Sequence, residues 1–133
     1  MPGHAFRTAD ADRWHAIHGA AADPYAQPDI YDYDLDEEHP LSEYAAMSVG
    51  IYVAVDEDET VRYIGQVRRP GNPAAVRERH HRHHKANDEW VALWLLPLRD
   101  TCTKDVVDQL ERELIRAYDP IDNATHARHN RDD

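Results

Sequence analysis

The chain has 133 residues, 41% of them hydrophobic, with a mean hydropathy of −0.82 and a formal net charge of −11. That length fits one domain with a modest core, or one domain carrying an arm, and is short for two full domains. The longest charge-free stretch, Tyr44 to Val55, has twelve residues, against the roughly 20 apolar residues of a membrane-spanning helix. The single cysteine, Cys102, excludes an intrachain disulfide. No apolar h-region marks a secretory leader, so the expected location is the cytoplasm.

Charge is unevenly spread. Residues 1–49 hold ten acids and two bases, whereas residues 62–85 hold seven bases and one acid. The whole-chain balance argues against a general nucleic-acid binder, yet the basic segment can meet an anionic ligand locally.

Taken in chain order, residues 8–21 suit a helix, with Thr8 as a candidate cap and Trp14, Ile17 and Ala21 on one side. Residues 23–43 are rich in acids and carry three prolines, so they read as a solvated connector with one short extended piece at Ile30–Tyr33. Val49 to Val55 and Val61 to Val67 read as two strands joined by the polar turn 56–60, a hairpin. Arg68 to Pro73 is a loop, and a helix should follow as far as about Ala86. The apolar run Trp90 to Leu98 reads as a buried strand, and Asp105 to Tyr118 as a helix stopped by Asp119-Pro120. The order β-β-α-β-α implies a small α/β (α+β) three-layer sandwich: a central, mainly antiparallel three-stranded sheet flanked by helices. Residues 1–48 form an acidic N-terminal arm, 49–125 the domain, and 126–133 a polar tail.

Strict alternation places Gly50, Tyr52 and Ala54 on one side of the first hairpin strand and Ile51, Val53 and Val55 on the other. The second strand puts Val61, Tyr63 and Gly65 together on the same logic. Ile51, Val53 and Val55 make the better core face, which leaves Tyr52 between two small neighbours on a face with room for a ligand. Tyrosine is also an ordinary strand residue that packs well.

Two helices carry odd residues. On the helix from Asp105, Glu111 falls inside the apolar arc between Val107 and Ile115. A carboxylate there is costly unless paired or bound to a cation, so it is either a metal ligand at the core's edge or an acid that snorkels out. On the helix after Pro73, Arg79 and His83 share the face of Val76, at i+3 and i+7, and His80 joins them at i+4. An arginine there either clamps phosphate with its planar fork or lies as a solvated stem on apolar surface. His80 and His84 have i,i+4 spacing, but two imidazoles without further ligands do not define a zinc site.

Assembled, these residues resemble a GIY-YIG nuclease domain. Gly50-Ile51-Tyr52 and Tyr63-Ile64-Gly65 match the two tripeptides that name the family, eleven residues apart tyrosine to tyrosine. Val76, Arg79 and His83 meet the spacing of the family's arginine helix, while Arg77 and His81 meet it without the apolar anchor. Glu111-Arg112-Glu113-Leu114-Ile115 fits the helix of its metal-binding glutamate, and Pro120-Ile121-Asp122-Asn123 the turn carrying an active-site asparagine in some members. The likeness spans Val49 to Asn123. The loop before Ala74 makes the gap from Tyr63 to Arg79 longer than in compact members.

The resemblance implies a metal-dependent endonuclease that hydrolyses phosphodiester bonds of DNA. Its catalytic residues would be Tyr52, Tyr63, Arg79, His83, Glu111 and Asn123. Glu111 would hold one divalent cation, Mg²⁺ or Mn²⁺, with water and phosphate oxygens completing the shell. Tyr52 would be the general base, which at an ordinary phenol value near 10 needs a neighbouring cation such as Arg79. Tyr63 would hydrogen-bond water or phosphate, His83 would orient Tyr52, and Asn123 would position phosphate or the glutamate. Arg68, Arg69, Arg77, Arg82 and Lys85 would meet the nucleic-acid backbone, with RNA open beside DNA. At −11 overall, a homodimer or a separate targeting partner is expected to help bring the domain to its target. The alternatives are a catalytically silent nucleic-acid binding module on the same basic helix, and a metal-buffering protein built on the histidine cluster.

Overall fold

The structure is a computed structural model, and it describes residues 3–32, 47–73, 75–76 and 89–123. The middle of the acidic connector, all of the expected arginine–histidine helix but residues 75–76, and the polar tail lie outside the described residues.

Six elements are described: α1 (Thr8–Ile17), β1 (Asp29–Asp32), β2 (Val49–Val55), β3 (Val61–Arg68), β4 (Ala92–Pro97) and α2 (Lys104–Tyr118). The strands form one sheet in the order β1-β4-β2-β3, antiparallel throughout. The α+β class is as expected, but the sheet has four strands rather than three. The extra strand comes from the connector, where Asp29 to Asp32 pair with Leu95 to Ala92. A three-stranded sheet would leave the outer edge of apolar β4 without hydrogen-bond partners, and β1 supplies them. Among the described residues no helix is long and apolar enough to cross a membrane.

The β2–β3 turn is set by Asp56, whose Oδ1 accepts from the backbone N–H of Asp58 and Thr60, each at 3.0 Å, while Glu59 takes a positive φ of 64°. From Gly50↔Val67 to Ala54↔Tyr63 the ladder is regular; then Val55 pairs with Val61, so Arg62 is an extra residue, a β-bulge. The bulge corrects the strict alternation read from the sequence. Val61 does not share a face with Tyr63 and Gly65; it turns over to join Val55 in the opposite cluster.

The sheet is covered on both sides. On one side Ile51, Val53, Val55 and Ile64 pack with Trp14 of α1 and with Val107, Leu110 and Leu114 of α2. On the other, Tyr52, Ala54, Tyr63 and Val67 pack with Met47, Val76, Trp90, Leu93 and Leu95. Every residue of β2 is buried, as in a strand sandwiched between two layers. The second face is therefore a core rather than an open ligand surface. Tyr52 is only 1% exposed: the Met47 side chain fills the space beside Gly50, and the ring shares one packed cluster with Tyr63, Trp90, Leu93 and Leu95.

Residues 3–32, within the expected acidic N-terminal arm, pack into the core they share with the domain of residues 49–125. Phe6 is fully buried and meets Trp94 and Tyr118 edge-on, at centroid distances of 5.5 and 5.2 Å. The Gly3 N–H donates to Asp119 O at 2.6 Å, and the Val61 N–H to His4 O at 2.9 Å. Helix α1 begins where Asp10 accepts from the Arg7 N–H at 3.1 Å, and it stops four residues short of the predicted end. Ala21 and Ala22 are needed beyond it: Ala22 bridges Leu98, and the Cys102 thiol donates to Ala21 O at 3.3 Å. Helix α2 starts at a Thr103 cap, whose hydroxyl accepts from the Val106 N–H at 3.4 Å, and ends at Asp119 in the left-handed region.

Candidate active site

The two glycine–tyrosine tripeptides lie side by side on the central hairpin. Tyr52 pairs directly with Gly65, and Ala54 with Tyr63. The ring of Tyr52 leans across the ladder onto Gly65. A Cβ at position 65 would land on the Tyr52 hydroxyl, 2.5 Å from its Cζ and 2.8 Å from Cε2 of Tyr63. The glycine of the second tripeptide is therefore the seat for the tyrosine of the first.

Tyr52 and Tyr63 stack with centroids 5.9 Å apart and planes 29° apart, and Trp90 extends the stack, 5.2 Å from Tyr63 at 25°. The Trp90 Nε1–H donates to Asp122 Oδ2 at 3.0 Å. Arg62, the bulge residue, donates to the same carboxylate through Nε and Nη2, each at 3.3 Å, and also pairs with Glu89. Trp90 and Asp122 are the participants that sequence reasoning missed. Trp90 reads only as the start of an apolar run, and no spacing rule links position 90 to position 122.

Asn123 is engaged on β3. Its Oδ1 accepts from the Ile64 N–H and its Nδ2 donates to Ile64 O, both at 2.8 Å. With the Asp122 N–H on Arg62 O at 2.7 Å, residues 122–123 continue the ladder along the outer edge of β3 and blunt it.

Glu111 sits on α2, which packs chiefly along β3, over the face opposite the phenols. It is half-buried. At helical spacing it lies between buried Val107 and Asp108, and Asp108 Oδ1 accepts from Gln66 Nε2 of β3 at 2.6 Å. Glu111 thus rides the flank of α2 that runs beside the edge strand, with β3 between its helix and the two phenols. Burial pushes the Asp108 carboxyl up, but the bonds from Gln66 and Lys104 and the charges of Lys104 and Arg112 outweigh it, leaving the carboxyl below its ordinary value. The described residues therefore bring Tyr52 and Tyr63 together and place Glu111 and Asn123 at the β3 edge. Arg79, His83, Arg77, Arg82 and Lys85 lie outside the described residues.

Arg68 is the exposed last residue of β3 and Arg69 begins the loop after it; Arg68 Nε donates to Cys102 O at 3.0 Å. At the other end of the hairpin, Asp56, Glu57, Asp58, Arg62, Glu89 and Val91 line an open cleft of about 350 Å³. Four carboxylates against one paired arginine make that cleft unsuited to a polyanion. Among the described residues no group of three or more histidine, cysteine or acidic side chains could hold a metal ion. A single half-exposed carboxylate at Glu111 still suits Mg²⁺, which keeps several waters and takes one or two protein carboxylates. No family model, curated protein or solved structure matches the chain.

Proposed function

We propose that the chain is a metal-dependent endonuclease that hydrolyses phosphodiester bonds of DNA, with Tyr52 as general base. The observation that carries this reading is the seating of Tyr52 on Gly65 beside Tyr63. It gives the paired tripeptides a joint physical purpose: one glycine makes room for a phenol that a second phenol flanks. Tyr52 would take a proton from the attacking water, and Tyr63 would hold that water or a phosphate oxygen. Arg79 would lower the Tyr52 phenol toward neutral pH and clamp the phosphate, with His83 orienting Tyr52. Glu111 would hold Mg²⁺ or Mn²⁺, whose chemistry when bound is to stabilise charge on the phosphate and the leaving oxygen. Asn123 would fix the β3 edge against which these groups are arranged. Arg68, Arg69, Arg77, Arg82 and Lys85 would carry the backbone contacts, in a homodimer or with a targeting partner.

The 1% exposure of Tyr52 and the placement of α2 across the sheet favour a second reading, a silent nucleic-acid binding module. A cleavage panel separates them: supercoiled plasmid, linear duplex, branched DNA and RNA, each with Mg²⁺, Mn²⁺ or chelator. Metal-dependent cutting that falls at least about 100-fold in Tyr52→Phe and in Glu111→Ala supports the nuclease. Salt-sensitive duplex binding with no cutting under any metal supports the silent module. Cutting that both variants retain refutes the mechanism.

A further inference from the structure

We propose that Asp122 is a positioning residue that sets the Tyr63 phenol through the Trp90 indole; its consequence for turnover rests on the nuclease reading above. Trp90 is fully buried, and its ring lies 5.2 Å from Tyr63 with planes only 25° apart. Stacking alone leaves such a ring free to slide or tilt within its slot. The 3.0 Å bond from Nε1–H to Asp122 Oδ2 removes that freedom, because a buried indole N–H that loses its acceptor is costly.

Asp122 is itself aimed. Its own N–H is held by Arg62 O at 2.7 Å, and its carboxylate receives both Nε and Nη2 of Arg62 at 3.3 Å. Arg62 reaches the carboxylate from the bulge, and Glu89, the residue before Trp90, takes the same guanidinium. The chain after α2 thus grips the aromatic stack from the β3 edge. An ionised acceptor roughly doubles the strength of such a bond, and a reacting group displaced by about 1 Å loses on the order of 100-fold in rate.

The test uses full-length protein labelled with 3-fluorotyrosine, its Tyr63 resonance assigned by loss in Tyr63→Phe. Asp122→Leu removes the acceptor, Asp122→Asn keeps one, and Trp90→Phe keeps a ring but removes the donor. The expected result is a moved or broadened Tyr63 fluorine signal in Asp122→Leu and Trp90→Phe, and a signal near wild type in Asp122→Asn. In turnover, kcat should drop at least about tenfold in the first two with KM nearly unchanged, a loss confined to the transition state. Asp122→Leu should add no further loss in a Trp90→Phe background. An unmoved Tyr63 signal in Asp122→Leu overturns the proposal even where Trp90→Phe moves it, as does a moved signal in active enzyme with unchanged kcat. If wild-type protein cuts nothing, the nuclease reading fails and the fluorine signal alone decides whether Asp122 orients Tyr63.

Discussion

The contact between Tyr52 and Gly65 makes Gly65→Ala the most informative single substitution for the fold. A glycine in a strand interior costs roughly 0.5–1 kcal/mol relative to alanine, so at an unobstructed position the change would stabilise. Here the new methyl would sit on the Tyr52 hydroxyl, 2.5 Å from Cζ and 2.8 Å from the Tyr63 ring. Restoring ordinary contact requires the Tyr52 ring to move by about 1 Å. It cannot swing into water, because it is 1% exposed and is packed within the second core cluster. Overpacking of this kind costs about 1–3 kcal/mol. Setting the propensity gain against it leaves an expected net loss of about 1 kcal/mol and at most about 2.5, or a fall in Tm of roughly 4–9 °C for a chain of this size. Urea unfolding of Gly65→Ala should show a lower midpoint with an unchanged slope. In a Tyr52→Ala background the methyl meets only the Tyr63 ring, which can shift into the vacated space, so the cost should fall, a coupling of at least about 1 kcal/mol between the two sites. Gly65→Ala as stable as wild type, or costs that simply add, would refute the seating argument.

Four other outcomes follow from the same structure. Asn123→Ala leaves the Ile64 N–H and C=O without the amide that holds them; the expected loss is about 1–3 kcal/mol, with faster hydrogen exchange at the Ile64 amide. Phe6→Ala should cost about 3–5 kcal/mol in denaturant unfolding, a result a detached arm would not give. The Asp108 carboxyl lies below its ordinary value, so its contribution is present above the unfolded carboxylate range and is lost as pH falls through the folded value; Gln66→Leu should shrink the acid dependence of stability. The Tyr118 phenol is pushed up by burial and by its bond to Asp10, so its contribution holds below the ordinary phenol value and is lost as pH rises through the folded one; Tyr118→Phe should flatten that alkaline limb.

What was legible in the sequence were the features that repeat at short range. The hairpin of β2 and β3 is written in two β-branched runs around a polar turn, and α2 in its apolar arc, so both appear with ends within a residue or so. β1 was visible only as an extended piece, since four residues cannot announce which strand they will join. The bulge at Arg62 was invisible, because nothing local distinguishes an inserted residue from an alternating one, and it misplaced Val61. Tyr52 and Tyr63 were legible as a pair through their tripeptides. The burial of Tyr52 was not, because its cluster is completed by Trp90 and by Leu93 and Leu95 of β4, about forty residues away. Asp122 and Trp90 were illegible for the same reason: their bond joins residues separated by 32 positions.

The inserted Arg62 is a residue that the β2–β3 ladder does not need and the chain after α2 does. Removing that one residue would restore strict alternation, with Val61 still paired to Val55 on its present face, and would take away the guanidinium that clasps Asp122. Shortening the strand at Arg62 should therefore spare the hairpin and loosen the chain after α2, whereas replacing Asp56, whose carboxylate holds the Asp58 and Thr60 N–H groups, should loosen the turn itself.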